Sequence, residues 1–378
     1  MIQRFFHPVG QGAFYSERHI SHNINIVYDC GTTNPSSVTK QRVVKQSFSN
    51  DDVIHILFIS HFDKDHISLI DTLKNAVKRI ERVIIPLLHD EEKIFLSNIY
   101  KALGHSSLGK LVSNPHEFFG EETQIITIRP SSEDRPIEQT LVVNLSEVIE
   151  KNTKIPSGVP LTINGLQDWV YIPLNYEYQK RSKEFQDELQ KNGIDIGMLK
   201  KEPNYVLNDD VKKAIKAIYK GISGNINQNS MFLYSGPLST ESNRLFWRKR
   251  CWPGNIYNCH FACYDYDNCS YRVACLFTGD GDLNIVDVRN KYSLYWDLIG
   301  TIQIPHHGSW KSFKANALNN RPFLCPISVG NKNSYGHPSQ RVISEILLKR
   351  SYPILVTESV DSTFVEIIEC YCCPVKLK

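Results

Sequence analysis

The chain has 378 residues, 41% hydrophobic and 22% charged, with a net charge of +3. This suits a soluble globular protein of one large domain or two ordinary ones, and so slight a basic excess does not by itself imply nucleic acid. The N-terminal MIQRFFHPVG lacks the apolar core of a signal peptide, and no segment approaches the roughly 20 apolar residues of a membrane span, so a cytoplasmic protein without a membrane partner is expected.

In chain order, NINIVYDCG reads as a strand stopped by glycine and DVIHILFIS as a fully buried strand. ISLIDTLKNAVKRI has helical spacing, with Ile67, Ile70, Leu73, Val77 and Ile80 on one face. ERVIIPL, TQIITIRP and TLVVNLSEV read as strands and EEKIFLSNIYKAL as a helix, an alternation that places the chain in the α/β class. From about Thr153 to Asn229 the chain turns charged and helical, which predicts an insertion at 153–229 within a single domain spanning residues 1–378. In NDDVKKAIKAIYKG, Lys212, Lys213, Lys216 and Lys220 fall within an arc of about 100°, opposite Val211, Ile215 and Ile218. A solvated face is the favoured reading of that ridge, and a phosphate-tracking surface the alternative. Strand patterns return with SMFLYSG, YRVACLFTGD, GTIQIPHHG, PFLCPISVG, YPILVTES and TFVEIIECY, with one helix, SQRVISEILLKR, among them.

The ten cysteines are unevenly placed: Cys251, Cys259, Cys263, Cys269 and Cys275 crowd one stretch and Cys370, Cys372 and Cys373 the tail. In a reducing compartment they read as thiols. Cys251, Cys259, His260, Cys263 and Cys269 could hold a structural zinc, but none is spaced C-x-x-C, and buried or strand-edge cysteines are the favoured reading.

At ISHFDKDHISL a buried strand ends in His61, Asp63, Asp65 and His66, four side chains within six residues. So close together they would repel or titrate awkwardly unless a cation neutralised them, which points to metal ligands. On a strand-to-helix turn, His61 and Asp63 can point one way while Asp65 and His66 lead into the helix, whose N-terminus favours carboxylates. The same device recurs. ACLFTGDGD ends a strand at Asp280, TIQIPHHGS ends one at His306 and His307, and ISVGNKNSYGHPS carries His337 beyond another. Ligands gather outside the strand ends of α/β sheets, so these segments are expected to converge.

H-x-D-x-D-H, T-G-D, H-H-G-S and Y-G-H-P, with HPVGQGAFYS, NIVYDCG and NQNSMFL, resemble the metallo-β-lactamase fold hydrolases, and among them the soluble domain of the bacterial competence protein ComEC. The matches run from Val9 to about Leu347 and skip the helical stretch. The resemblance implies an αββα sandwich with a dinuclear metal centre at one edge. It assigns His61 and Asp63 to one ion, Asp65 and His66 to the other, Asp280 to a bridge between them, and His337 to the completion of the second. His306 and His307 fall where phosphodiesterase members keep a general acid or an oxyanion-binding histidine. Neighbours on a strand face opposite ways, so one of the pair is expected in the site, His306 for preference, with a ligand role open to it. The family's third-motif histidine is not visible: GNINQNSMFLY offers only Asn and Gln there. With Asp63 also replacing an imidazole, the first site shifts from zinc towards manganese or magnesium.

Two divalent ions, Zn²⁺ or Mn²⁺ with Mg²⁺ open, would share a water, lower its pKa and hold it for attack. A protonated His306 or His307 would hand a proton to the leaving alkoxide, with Asp65 at the reacting centre. RLFWRKRCW sets Arg244, Arg248, Lys249 and Arg250 among Phe246, Trp247 and Trp252, a mixture that suits single strands as well as it suits an amphipathic strand edge. Lys311 and Lys314 follow the histidine pair. The expected function is a metal-dependent phosphodiesterase or nuclease acting on DNA, single-stranded for preference. The alternatives are a hydrolase of a small ester, lactone or nucleotide second messenger, and a regulatory member working with protein partners.

Overall fold

Runs of β-branched and aromatic residues, bounded by glycine and short polar turns, build two sheets. The computed structural model describes residues 1–131, 135–138, 141–166, 168–177, 183–221, 229–244, 246–253, 272–319 and 321–370. In spatial order the first sheet holds Asn152–Ile155, Gln124–Ile128, Arg82–Pro86, Val53–Phe58, Ile24–Cys30, Phe14–His19, Ile2–Phe6, Phe364–Cys370 and Phe246–Pro253. Neighbours are parallel as far as Ile24–Cys30 and antiparallel beyond it. The second sheet runs Tyr352–Val356, Leu324–Ser328, Ile299–Ile302, Ala274–Phe277, Asn229–Pro237, Trp169–Glu177, Leu161–Thr162 and Val143–Asn144, the first four parallel.

Pleating sends alternate side chains to opposite faces, and three apolar layers result. Phe6, Tyr15, Ile56, Phe58, Tyr171 and Phe277 meet between the sheets. Leu57 packs the other face of the first sheet against helices carrying Leu73, Phe95 and Ile99. Leu276 does the same for the second sheet, against Val342 and Ile346 of the helix Gln340–Leu348. Helix, sheet, sheet, helix is an αββα sandwich. A buried Arg4 clamps the sheets together: it reaches Glu17 at 2.5 Å and Glu366 at 2.7 Å on the first sheet, and donates to the Val273 carbonyl at 3.1 Å beside the second. No helix among the described residues is long and apolar enough to cross a membrane.

The stretch 153–229 is not helical throughout. Asn152–Ile155 and Trp169–Glu177 are strands, one in each sheet, and Trp169–Glu177 pairs along its length with Asn229–Pro237. WVYIPLN is buried at every position, as a central strand between two covered faces must be, and its charged neighbours mask that run in the sequence. The helices are Lys183–Lys191, Ile196–Lys201 and Asp209–Gly221, seated on the outer side of the first sheet by Phe185, Leu189, Leu199 and Ile215. The helix expected through ISLIDTLKNAVKRI also breaks, into Lys64–Ile67 and Ile70–Ala76, and Ile80 joins a strand.

Candidate metal centre

The carboxyl ends of parallel strands from both sheets meet at one edge. Ile24–Cys30 delivers Asp29, and Val53–Phe58 leads into His61, Asp63, Asp65 and His66. From the second sheet, Ala274–Phe277 leads to Asp280, and Ile299–Ile302 to His306 and His307. The helix Lys64–Ile67 docks on the first sheet where Gly31 lacks a side chain, since a Cβ there would stand 2.4 Å from the His66 carbonyl carbon. The Leu69 amide then donates to the Cys30 carbonyl at 2.9 Å and ends the turn.

His66 is held at both ring nitrogens. Nδ1 lies 2.8 Å from Asp29 Oδ2, and Nε2 lies 3.1 Å from Asp280 Oδ1 on the opposite sheet. Asp29 is itself fixed by Ser60, whose amide and hydroxyl each donate to it at 2.7 Å, and its backbone sits in the left-handed region at φ 54°. His61 Nδ1 meets the Ser60 hydroxyl at 2.8 Å, while its Nε2 faces Asp63 at 3.5 Å and Asp280 at 3.7 Å. His307 hydrogen-bonds the Ser328 carbonyl through Nδ1 and Asp65 through Nε2, both at 2.9 Å. Gln303 ties the two second-sheet loops together: its Oε1 accepts from the Thr278 and Gly279 amides at 2.8 and 2.9 Å, just before Asp280.

These donors form two groups sharing His66. One is His61, His66 and Asp280; the other is Asp65, His66 and His307; within each, the ligand atoms lie within 4.8 Å of one another. His61 Nε2 and Asp63 Oδ1 are buried there without a hydrogen bond. An unsatisfied buried donor or acceptor costs about 1–3 kcal/mol, so two in one ring of ligand-type atoms fit a cation. A carboxylate behind a ligating imidazole, as Asp29 stands behind His66, is the usual outer partner of a metal-bound histidine.

Charge in the cluster is strongly coupled. Burial alone would raise the Asp65 carboxyl, but the His307 hydrogen bond and the charge of His66 outweigh it and hold Asp65 at about 2. Burial would likewise raise Asp280, yet His306 and His66 pull it well below the carboxylate range. Burial would lower both His66 and His307. Asp280 and Asp29 lift His66 well above an ordinary imidazole, and the Asp65 hydrogen bond with the Asp280 charge lifts His307. The helix Asp209–Gly221 also reaches this neighbourhood: burial first, then the Asp63 and Asp65 carboxylates, push the Tyr219 phenol up.

The structure brings His61, Asp63, Asp65, His66, Asp280, His306 and His307 together. Both histidines of the pair face the carboxylates, because they lie on a turn with φ of 50° and 54° and not on an alternating strand. His307 is the one bonded to Asp65, and His306 stands 3.8 Å from Asp280 Oδ2, with Nδ1 3.3 Å from the Ser312 hydroxyl. His337 belongs to neither group. Its ring lies 5.9 Å from that of His306 and stacks on Tyr335, and burial, with His306 and His307 nearby, lowers it to about 4. Lys311 is exposed four residues beyond His307. Arg248, Lys249 and Arg250 are not at this edge: their strand, Phe246–Pro253, stands four strands from Ile24–Cys30, about 19 Å at the usual spacing, and their side chains lie outside the described residues. Cys259, His260, Cys263, Cys269, Cys372, Cys373 and the segment GNINQ lie outside the described residues, whereas Cys275 is buried in its strand. Asp29, Ser60 and Gln303 escaped the sequence reading. Asp29 alone carried a signal there, as a carboxylate at the end of a buried strand.

No family model and no curated protein matches this sequence. Among solved structures, human tRNase Z, short form (ELAC1), is similar at 9% identity over 98% of this chain and 99% of its own, with a TM-score of 0.39. Unliganded yeast PDE1 is similar at 9% identity over 97% of this chain and 99% of its own, with a TM-score of 0.38. At such scores neither likeness bears on the chemistry, which rests on the side chains.

Proposed function

We propose that this chain is a metal-dependent phosphodiesterase that cleaves nucleic acid, with single-stranded DNA its preferred substrate. The observation that carries this is the pair of donor groups sharing His66, with His61 Nε2 and Asp63 Oδ1 buried and unbonded between two sheets. His61 and Asp280, with Asp63 beside them, would hold one ion, and Asp65, His66 and His307 the other, since Asp29 occupies one nitrogen of the His66 ring and leaves a single one for a metal. Imidazole mixed with carboxylate suits Zn²⁺ or Mn²⁺, with Mg²⁺ the harder alternative. Divalent ions held there supply Lewis acidity and neutralise charge that builds on a phosphoryl oxygen.

The remaining roles follow from what each side chain can do. Asp29 and Ser60 fix the His66 ring. His307, tied to Asp65 and to a backbone carbonyl, is a holding residue. His306 is the proton donor to the leaving alkoxide: its side chain is 18% exposed against 5% for His307, so it meets a substrate. Lys311, and Lys314 beyond it, supply the cationic rim that a polyanion requires.

The test is to load the purified protein with Zn²⁺, Mn²⁺ or Mg²⁺ and to follow single-stranded DNA, duplex DNA and RNA on gels. Cleavage is expected, fastest on single-stranded DNA, and Asp280→Asn should abolish it in a protein that stays folded. No cleavage with any ion, or full activity in Asp280→Asn, overturns the reading.

A further inference from the structure

We propose that a cleft beside the metal centre, walled by Trp310 and Arg341, is a stacking subsite for one base of the substrate strand. The inference rests on the phosphodiesterase reading and names the part of the substrate that the protein grips. The cleft has a volume of 410 Å³, and its walls include Asn284, Trp310, Lys311, Phe313, Arg341 and Glu345. Its place is set by two segments that build the centre and one that flanks it. Asp280 leads to Asn284 and His306 to Trp310, and His337, beside His306, leads to Arg341, each four residues on. Four residues span at most about 14 Å, so a base in the cleft and a phosphate at the centre can belong to one strand. Cross-links fix the loops: Asn284 Nδ2 donates to the Lys311 carbonyl at 2.8 Å, and the Leu283 amide to the Ser312 carbonyl at 2.9 Å.

The chemistry of the cleft selects its occupant. Trp310 is 52% exposed, whereas Trp169 and Trp296 are 1% and 4% exposed. The Arg341 guanidinium lies over the indole, 5.8 Å from its centroid. A cation–π brace alone would account for the pair, but not for an indole left half in water at the mouth of a cavity. The remaining ring surface suits a planar aromatic ligand. The walls carry two cations, Lys311 and Arg341, against one carboxylate, Glu345, and with the exposed Lys314 beyond them they favour phosphates on either side of a ring seated on Trp310. A flat group flanked by anions is a nucleotide of a single strand, and such strands are bound by aromatic platforms between cations.

Fluorescence anisotropy, in chelator to prevent turnover, would compare a labelled oligothymidylate with an abasic oligomer of equal length on wild type, Trp310→Ala and Trp310→Phe. The preference for the base-bearing strand should fall about 5- to 150-fold in Trp310→Ala, the span of base–aromatic stacking, and survive largely in Trp310→Phe. Equal weakening of both oligomers would make Trp310 a structural residue and overturn the subsite. An unaltered preference in a protein that cleaves the oligomer overturns the subsite and leaves the phosphodiesterase reading intact. A lost preference in a protein that cleaves nothing with any ion does the reverse. Failure of wild type to prefer the base-bearing strand overturns the subsite outright.

Discussion

His66 decides the chemistry of the centre because both its ring nitrogens meet carboxylates, Asp29 on one side and Asp280 on the other. Only Asp280 belongs to a donor group, so Asp29 acts through the ring it orients. Asp29→Asn keeps the volume and removes the charge, and should weaken ion binding about 10- to 100-fold by calorimetry, with circular dichroism unchanged. Wild-type affinity in that variant would reduce Asp29 to a link between Ser60 and the strand. The histidine pair separates by a different measurement. His306→Ala should slow turnover about 10²–10⁴-fold with ion content unchanged and remove the alkaline limb of the pH–rate profile. His307→Ala should lose an ion instead, since His307 closes the group with Asp65 and His66. Ion loss in His306→Ala with none in His307→Ala would exchange the two roles.

At the scale of elements, the site depends on a four-residue helix, Lys64–Ile67, pressed against the end of Ile24–Cys30. The contact is backbone to backbone: a Cβ on Gly31 would meet the His66 carbonyl carbon at 2.4 Å and the Ile67 nitrogen at 2.5 Å. Neither atom can rotate away, so Gly31→Ala should displace the helix, lower the melting temperature and reduce ion affinity together. Retention of both would mean that the helix shifts without carrying Asp65 and His66 along. Strands and ligand-bearing ends were legible in sequence because a buried strand that stops at His, Asp or His-His breaks an apolar pattern abruptly. Orientation was not. His306 and His307 both face inward through left-handed backbone, which no alternation rule anticipates, and the place of His337, its ring 5.9 Å from that of His306 but outside both donor groups, is a tertiary fact. WVYIPLN was hidden by the charge of the helices that follow it, and the residues that orient the ligands, Ser60 and Gln303, belong to types too common to stand out.

In the whole molecule, the centre joins the two sheets: the first supplies His61, Asp63, Asp65 and His66, the second Asp280, His306 and His307. Without an ion, protons hold this junction. His66 and His307 are raised above the ordinary imidazole value, so their pairing stabilises the fold fully below about pH 6.5 and is lost as pH climbs through the raised values. Asp65 is depressed to about 2, so its contribution is present above the ordinary carboxylate range and is lost as pH falls towards 2. The chelated protein should therefore be most stable between about pH 4 and about 6.5. Ions compete with protons for the same imidazoles, so they bind more tightly as pH rises and release protons when they do. Saturating ion adds about 2.7 kcal/mol at a hundredfold excess over Kd. The gap in melting temperature between ion-loaded and chelated protein should thus widen from about pH 5.5 to about 8, with proton release detectable in weak buffer. A gap that stayed constant across that range, with no protons released, would place the ion elsewhere than on His66 and His307.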